Sequence, residues 1–211
     1  MNNALLSILC DQEYWSFDPL ASELITFNKD GTGELWCMRE TTFIFALNMD
    51  WKSLPPPKAE ESVKTLGITS WWSRKPQVLG KVKLQINLNT TDAKSLGGPF
   101  PIPNEYYLSE AAFRPRIFTV TIEKGNFAPK LWVGKESEGF RLRYGLRLLF
   151  DKSPYPLREG FKTPDKPPVS EYNFDEMDMF VAGLLSHSET KGKAMNDDFP
   201  GGWTTASLFR W

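Results

Sequence analysis

The sequence predicts an all-β protein: a single antiparallel β-barrel with one flanking helix and long loops. Two observations carry that prediction, a glycine-bearing reversal between apolar runs early in the chain and several segments whose apolar residues alternate with polar ones. The reversal lies within Ser22 to Trp36. Asp30-Gly31 supplies residues that tolerate positive φ, and Gly33 is placed to close the turn with a bulge, so two strands meet through a short connection. Thr42 to Met49 continues the pattern, with Phe43, Phe45, Leu47 and Met49 on one face and Thr42, Ala46 and Asn48 on the other. Three locally joined strands make a meander, the seed of an antiparallel barrel.

The remaining elements follow in chain order. Asn2 to Leu9 is a short apolar segment suited to a turn or two of helix over one end of the core, and Asp11 to Pro19 brings Tyr14, Trp15 and Phe17 up to the hairpin. Lys52 to Pro76, with Pro55-Pro56-Pro57, reads as a long connection that carries Trp71-Trp72. Gly80 to Thr90 is the cleanest strand: Val82, Leu84, Ile86 and Leu88 face one way and Lys81, Lys83, Gln85 and Asn87 the other. Asp92 to Arg116 is a loop long enough to serve as a lid or a binding rim.

Ile117 to Phe127 reads as a strand that ends in a turn at Lys124-Gly125-Asn126, with Lys130 to Val133 as its short partner. Phe140 to Phe150 is the longest strand, and its alternation puts Arg141, Arg143 and Arg147 on one face. Ion pairs with Glu123 on the solvent side are the structural reading of that face, and contact with an anionic or carbonyl-bearing ligand is the functional one. Lys152 to Ser170, rich in proline and charge, is expected to wrap the surface. Asn173 and Glu176 form an N-cap and its box partner, and Phe174, Met177, Val181, Leu184 and Leu185 recur at helical spacing, which fits a flanking helix, while Gly183 and the β-prone Phe180-Val181 keep a strand reading open. Trp203 to Trp211 alternates as a last strand.

Composition bounds the function. A chain of 211 residues fits one domain with one sizeable core, and 25 basic against 26 acidic residues leave no global field for nucleic acid or an acidic membrane. The two cysteines, Cys10 and Cys37, fit free thiols in a reducing compartment, and the N-terminus lacks the basic segment of a secretory signal, so a cytoplasmic location is expected. No apolar run is long enough to span a membrane. His187 is the single histidine, which rules out a site built on two or more histidines. Gly97-Gly98 and Gly201-Gly202 lack the context of a phosphate loop, so no cofactor is expected. Aromatic residues make up 14% of the chain, enough to fill a β core and also to line a ligand cavity.

Trp15, a spacer, and then Leu24-Ile25-Thr26-Phe27-Asn28-Lys29-Asp30-Gly31-Thr32-Gly33 resemble the opening of small lipocalin-like proteins of the calycin type. In that group a tryptophan near the first strand precedes a hairpin of this kind. The resemblance is sharp over roughly the first 40 residues. It implies that Arg210 stacks across the N-terminal tryptophan. Glu13 stands where the family's Gly-x-Trp motif has glycine, and Leu146 to Pro156 is similar to uncharacterised fungal proteins.

The function that follows is a small-molecule-binding barrel enclosing a hydrophobic ligand in an aromatic-lined cavity. The alternative is a cofactor-independent isomerase, cyclase or pericyclase, for example of Diels-Alderase type, in natural-product biosynthesis; positioning and electrostatics need no motif for such chemistry. A second alternative is a sugar-binding or protein-interaction module. Candidate ligand-binding residues are Trp36, Phe43, Phe45, Trp71 and Trp72, and candidate catalytic residues are Glu40, Arg143 and Tyr144. The ligand's identity and the oligomeric state stay open.

Overall fold

A computed structural model describes residues 3–39, 42–55, 76–93, 104–130 and 142–190. Eight antiparallel strands form one sheet that closes in a ring: β1 (Trp15–Ser16), β2 (Glu23–Ile25), β3 (Thr32–Arg39), β4 (Thr42–Leu54), β5 (Gln77–Asp92), β6 (Arg116–Phe127), β7 (Tyr144–Phe150) and β8 (Met179–Leu184). Every strand pairs with its sequence neighbour, and Ser16 opposite Val181 joins β8 back to β1. Closure of this kind removes the free edges that an open sheet would have to protect.

The hairpin forms where the sequence predicts it. Asp30 Oδ1 accepts hydrogen bonds from the Thr32 backbone N–H at 2.9 Å and from its hydroxyl at 2.6 Å, and Gly31 takes a φ of +87° that favours glycine. Gly33 does not make the bulge. It lies within β3 opposite Met49, where a Cβ would come within 2.2 Å of the Thr26 carbonyl oxygen, so glycine is needed for close approach.

The alternation in β5 is realised: Val82, Leu84, Ile86 and Leu88 are all buried on the inner face. Burying side chains of this kind contributes roughly 1.5–3 kcal/mol each. Helix α1 (Asn3–Cys10) closes one end of the ring with Leu5 and Leu9, and the Leu9 carbonyl accepts the Trp15 Nε1–H at 3.0 Å. Helix α2 (Asn104–Tyr107) mends the sheet where the β4–β5 register is irregular between Leu47 and Met49. Asn104 accepts from the Ala46 N–H and donates to the Ala46 carbonyl, each at 2.8 Å, and that carbonyl also accepts the Ala93 N–H at 3.1 Å.

Further expectations are corrected. Residues 173–185 are not a helix: Phe174–Glu176 is a single 3₁₀ turn whose Asn173 makes no side-chain cap, and Met179–Leu184 is the closing strand. Met179, Phe180, Val181 and Ala182 are buried on both faces of β8, so apolar residues at successive positions also fall at helical spacing. The helix flanking the ring is therefore α1; helix α3 (His187–Thr190) is only four residues long. Lys124-Gly125-Asn126 is not a turn, because β6 runs through it with an extra residue between the pairs Lys124–Leu146 and Phe127–Tyr144.

Lys152 to Ser170 does more than wrap the surface, since Tyr155 and Phe161 from this stretch enter the core. Arg116 holds it there by donating to the Tyr155 and Ser153 carbonyls at 2.6 and 2.8 Å. The expected strand at Trp203 to Trp211, and the expected partner strand from residue 131 on, lie outside the described residues. No helix among the described residues is long and apolar enough to cross a membrane.

Candidate ligand site

The end of the ring opposite α1 is filled with aromatic rings from the strands and from the stretch between β7 and β8. Tyr155 stacks on Phe180 at 6.1 Å between centroids and lies 5.9 Å from both Phe45 and Phe174. Phe45 lies 5.7 Å from Phe174, and Phe17 meets Phe180 edge-on at 6.2 Å. The Tyr155 hydroxyl donates to the Trp36 carbonyl at 2.7 Å, which ties this filling to β3.

A pair of carboxyl groups is set into the same end. Glu23 opens β2 and lies opposite Cys37, two residues from the Ile25–Leu35 pair, so strand alternation turns it inward with Ile25, Leu35 and Cys37. Asp18, in the β1–β2 connection, accepts from the Ser22 N–H at 2.8 Å. Glu23 and Asp18 are each 5% exposed, and Glu23 Oε2 has no hydrogen-bond partner.

Burial, the Asp18 charge and a hydrogen bond with Asp18 together push the Glu23 carboxyl up from 4.5 to about 9. Glu23 therefore keeps its proton at neutral pH and shares it with Asp18. Burial, followed by the charges of Glu23 and Asp18, raises the Cys37 thiol well above its ordinary value. The Tyr155 hydroxyl is raised in the same way, by burial first and then by Cys37, Glu23, Asp18 and Tyr172. The site is thus a protonated carboxyl beside a carboxylate, faced by a neutral thiol and a neutral phenol.

The residues singled out in the sequence are spread over several places. Phe45 belongs to the aromatic end. Trp36 and Phe43 form a pair of their own, edge-on at 5.9 Å, with the Trp36 indole donating to Glu34 at 3.1 Å. The expected common face of Phe43 and Phe45 is broken by a bulge: Cys37 opposes Phe45 and Met38 opposes Phe43, so Ile44 is the extra residue and joins Phe45 in the core.

Tyr144 packs with Phe127 and Val181 in a second apolar cluster, and its hydroxyl is raised by burial and then by Tyr14 and Asp18. Arg143 is 6% exposed. The expected pairing with Glu123 is made by Arg147 at 2.6 Å, but it is buried rather than on the solvent side, and the guanidinium stacks over Phe127 at 4.3 Å. Glu40, Trp71, Trp72 and Arg210 lie outside the described residues.

Sequence reasoning missed Asp18, Glu23, Cys37 and Tyr155. Glu23 had a legible signal, because an acid two residues before Ile25 in a predicted strand shares its apolar face. Among the described residues no group of three or more His, Cys, Asp or Glu side chains could hold a metal ion. Compared with family models, curated proteins and solved structures, the chain gives no match.

Proposed function

We propose that the protein is a lipocalin-like small-molecule-binding barrel that holds an apolar ligand at the aromatic end of its ring. The observation that supports this reading is Glu23, a buried carboxyl with an unpartnered oxygen amid aromatic side chains. Buried polar atoms almost always find partners, and sites for small molecules are mostly apolar with a few placed polar groups. A carboxyl with a strongly raised pKa in such a setting is a candidate functional group.

The same group supports one second reading, cofactor-independent isomerase or cyclase catalysis. A carboxylic acid kept protonated beside a carboxylate is the arrangement that general acid catalysis uses at neutral pH. Native mass spectrometry of the protein purified from its own source, followed by denaturation, tests the binding reading. An apolar compound released at near one-to-one occupancy is the expected result. Protein that releases nothing, and then binds none of a panel of polyene, terpenoid and polyketide precursors, contradicts it. A precursor returned as an isomer of unchanged mass replaces carriage with catalysis.

A further inference from the structure

We infer that the β1–β2 connection, residues 17–22, is a flap over the aromatic end, latched by the proton that Glu23 shares with Asp18 and opening as that proton is lost. It rests on the binding reading above and supplies the ligand's route of entry. A route is needed because Phe45, Tyr155 and Phe180 are wholly buried and pack directly on one another, so a ligand reaches them only when a neighbouring segment lifts.

The ring is thinnest at this place. β1 and β2 span two and three residues, and a single pair, Ser16 opposite Val181, joins β8 to β1. β5 and β6, by contrast, pair from Gln77 to Ile86. Segments held by so few backbone bonds open first. Both roots of the flap are fixed, Trp15 by its hydrogen bond to the Leu9 carbonyl and Ile25 by full burial in the core. Between them Leu20 is 73% exposed, and Ala21 takes a φ of +54°, a left-handed conformation that strains a residue with a Cβ. Phe17 meets Phe180 edge-on at 6.2 Å, so lifting the flap uncovers the ring on which Tyr155 stacks.

Asp18 is the latch. Its Oδ1 accepts the Ser22 N–H at 2.8 Å across the flap, and its carboxyl is hydrogen-bonded to Glu23 at the flap's root. Loss of the Glu23 proton with the flap shut sets two carboxylates together in a buried site; with the flap open both meet water. The proton therefore leaves as the flap lifts. The titratable groups that face the pair are Cys37 of β3, Tyr155 of the β7–β8 connection and Tyr144 of β7, which feels the Asp18 charge; β8 carries none. All three are raised by burial and stay neutral from pH 6 to pH 8, so within this group the proton lost on opening is that of Glu23.

Amide hydrogen exchange of the full chain, read by NMR at pH 6 and pH 8, corrected for the intrinsic rate and repeated in low urea, tests the inference. The reporters are the Phe17, Ser22 and Met38 amides, which donate to the Glu23 carbonyl, to Asp18 Oδ1 and to the Ser22 carbonyl. In the wild type they are expected to lose about 100-fold in protection from pH 6 to pH 8, tenfold per unit for one proton released, with little dependence on urea. The β5–β6 amides are expected to exchange more slowly and to respond steeply to urea. Glu23→Gln, which copies the neutral carboxyl and has no proton to lose, is expected to hold the three reporters constant to within about threefold across the same interval. Ala21→Gly relieves the strain of the shut flap and is expected to raise their protection about three- to tenfold at both pH values. Wild-type protection that does not change with pH, an equal change in Glu23→Gln, protection unmoved by Ala21→Gly, or reporters with the urea response of β5–β6 overturns the flap. The wild type and Ala21→Gly decide the matter where Glu23→Gln does not fold. None of these readings involves a ligand, so the flap can fail while the binding reading stands. Protein that neither carries nor binds a ligand removes the binding reading and leaves the proton-linked opening in place.

Discussion

Glu23 ties the chemistry of the site to the stability of the fold. Its carboxyl is raised from 4.5 to about 9 in the folded protein by burial and by Asp18. Between those values the folded state keeps a proton that the unfolded chain releases. Its contribution to stability is therefore full below pH 4.5 and lost as the pH climbs toward 9, by up to about 1.4 kcal/mol per unit. Urea denaturation at pH 5 and pH 8 is expected to show the wild type less stable at the higher pH. Glu23→Gln, which has no proton to lose, is expected to flatten that difference and to be the more stable protein at pH 8. Equal pH slopes for the two proteins would place the proton elsewhere.

Among the elements, β5 and the β2–β3 hairpin were legible because each has one wet face and one buried face, and Asp30-Gly31 is a turn with a mechanism. β8 read first as a helix, with a strand kept open only by Gly183 and Phe180-Val181, because burial on both faces erased its alternation and left Phe174, Met177 and Val181 at helical spacing. The bulge at Ile44 was invisible for a different reason. One extra residue changes which side chains face inward without changing the composition of the strand, so Phe43 and Phe45 read as partners and are not.

The mend at α2 was equally hidden, since it joins Asn104 to Ala46 across 58 residues. Asn104→Ala removes both hydrogen bonds and strands the Ala46 N–H. A loss of about 2–3 kcal/mol is expected in urea denaturation, with faster amide exchange at Ala46. An unchanged midpoint would mean that the β4–β5 irregularity needs no mending.

At the scale of the whole molecule the ring is closed at one end by α1 and filled at the other by the stretch between β7 and β8. Meander order and all-β class were readable from local patterns, because each strand pairs with its neighbour in sequence. The filled end was not, because it depends on Tyr155, Phe161 and Phe174 folding back from a stretch whose prolines and charges read as surface. The acid pair depends on that filling: without the aromatic rings, Glu23 would meet water and titrate as an ordinary carboxylate.

The most direct test of this account is a carbon-13 NMR titration of the side-chain carboxyls, with the Glu23 signal assigned by its absence in Glu23→Gln. A Glu23 midpoint near pH 9 is the predicted result, because only a carboxyl held inside the ring against Asp18 titrates so late. A midpoint near 4.5 would show that Glu23 meets solvent or a cation, and the aromatic end would lose the group on which its reading as a binding site depends.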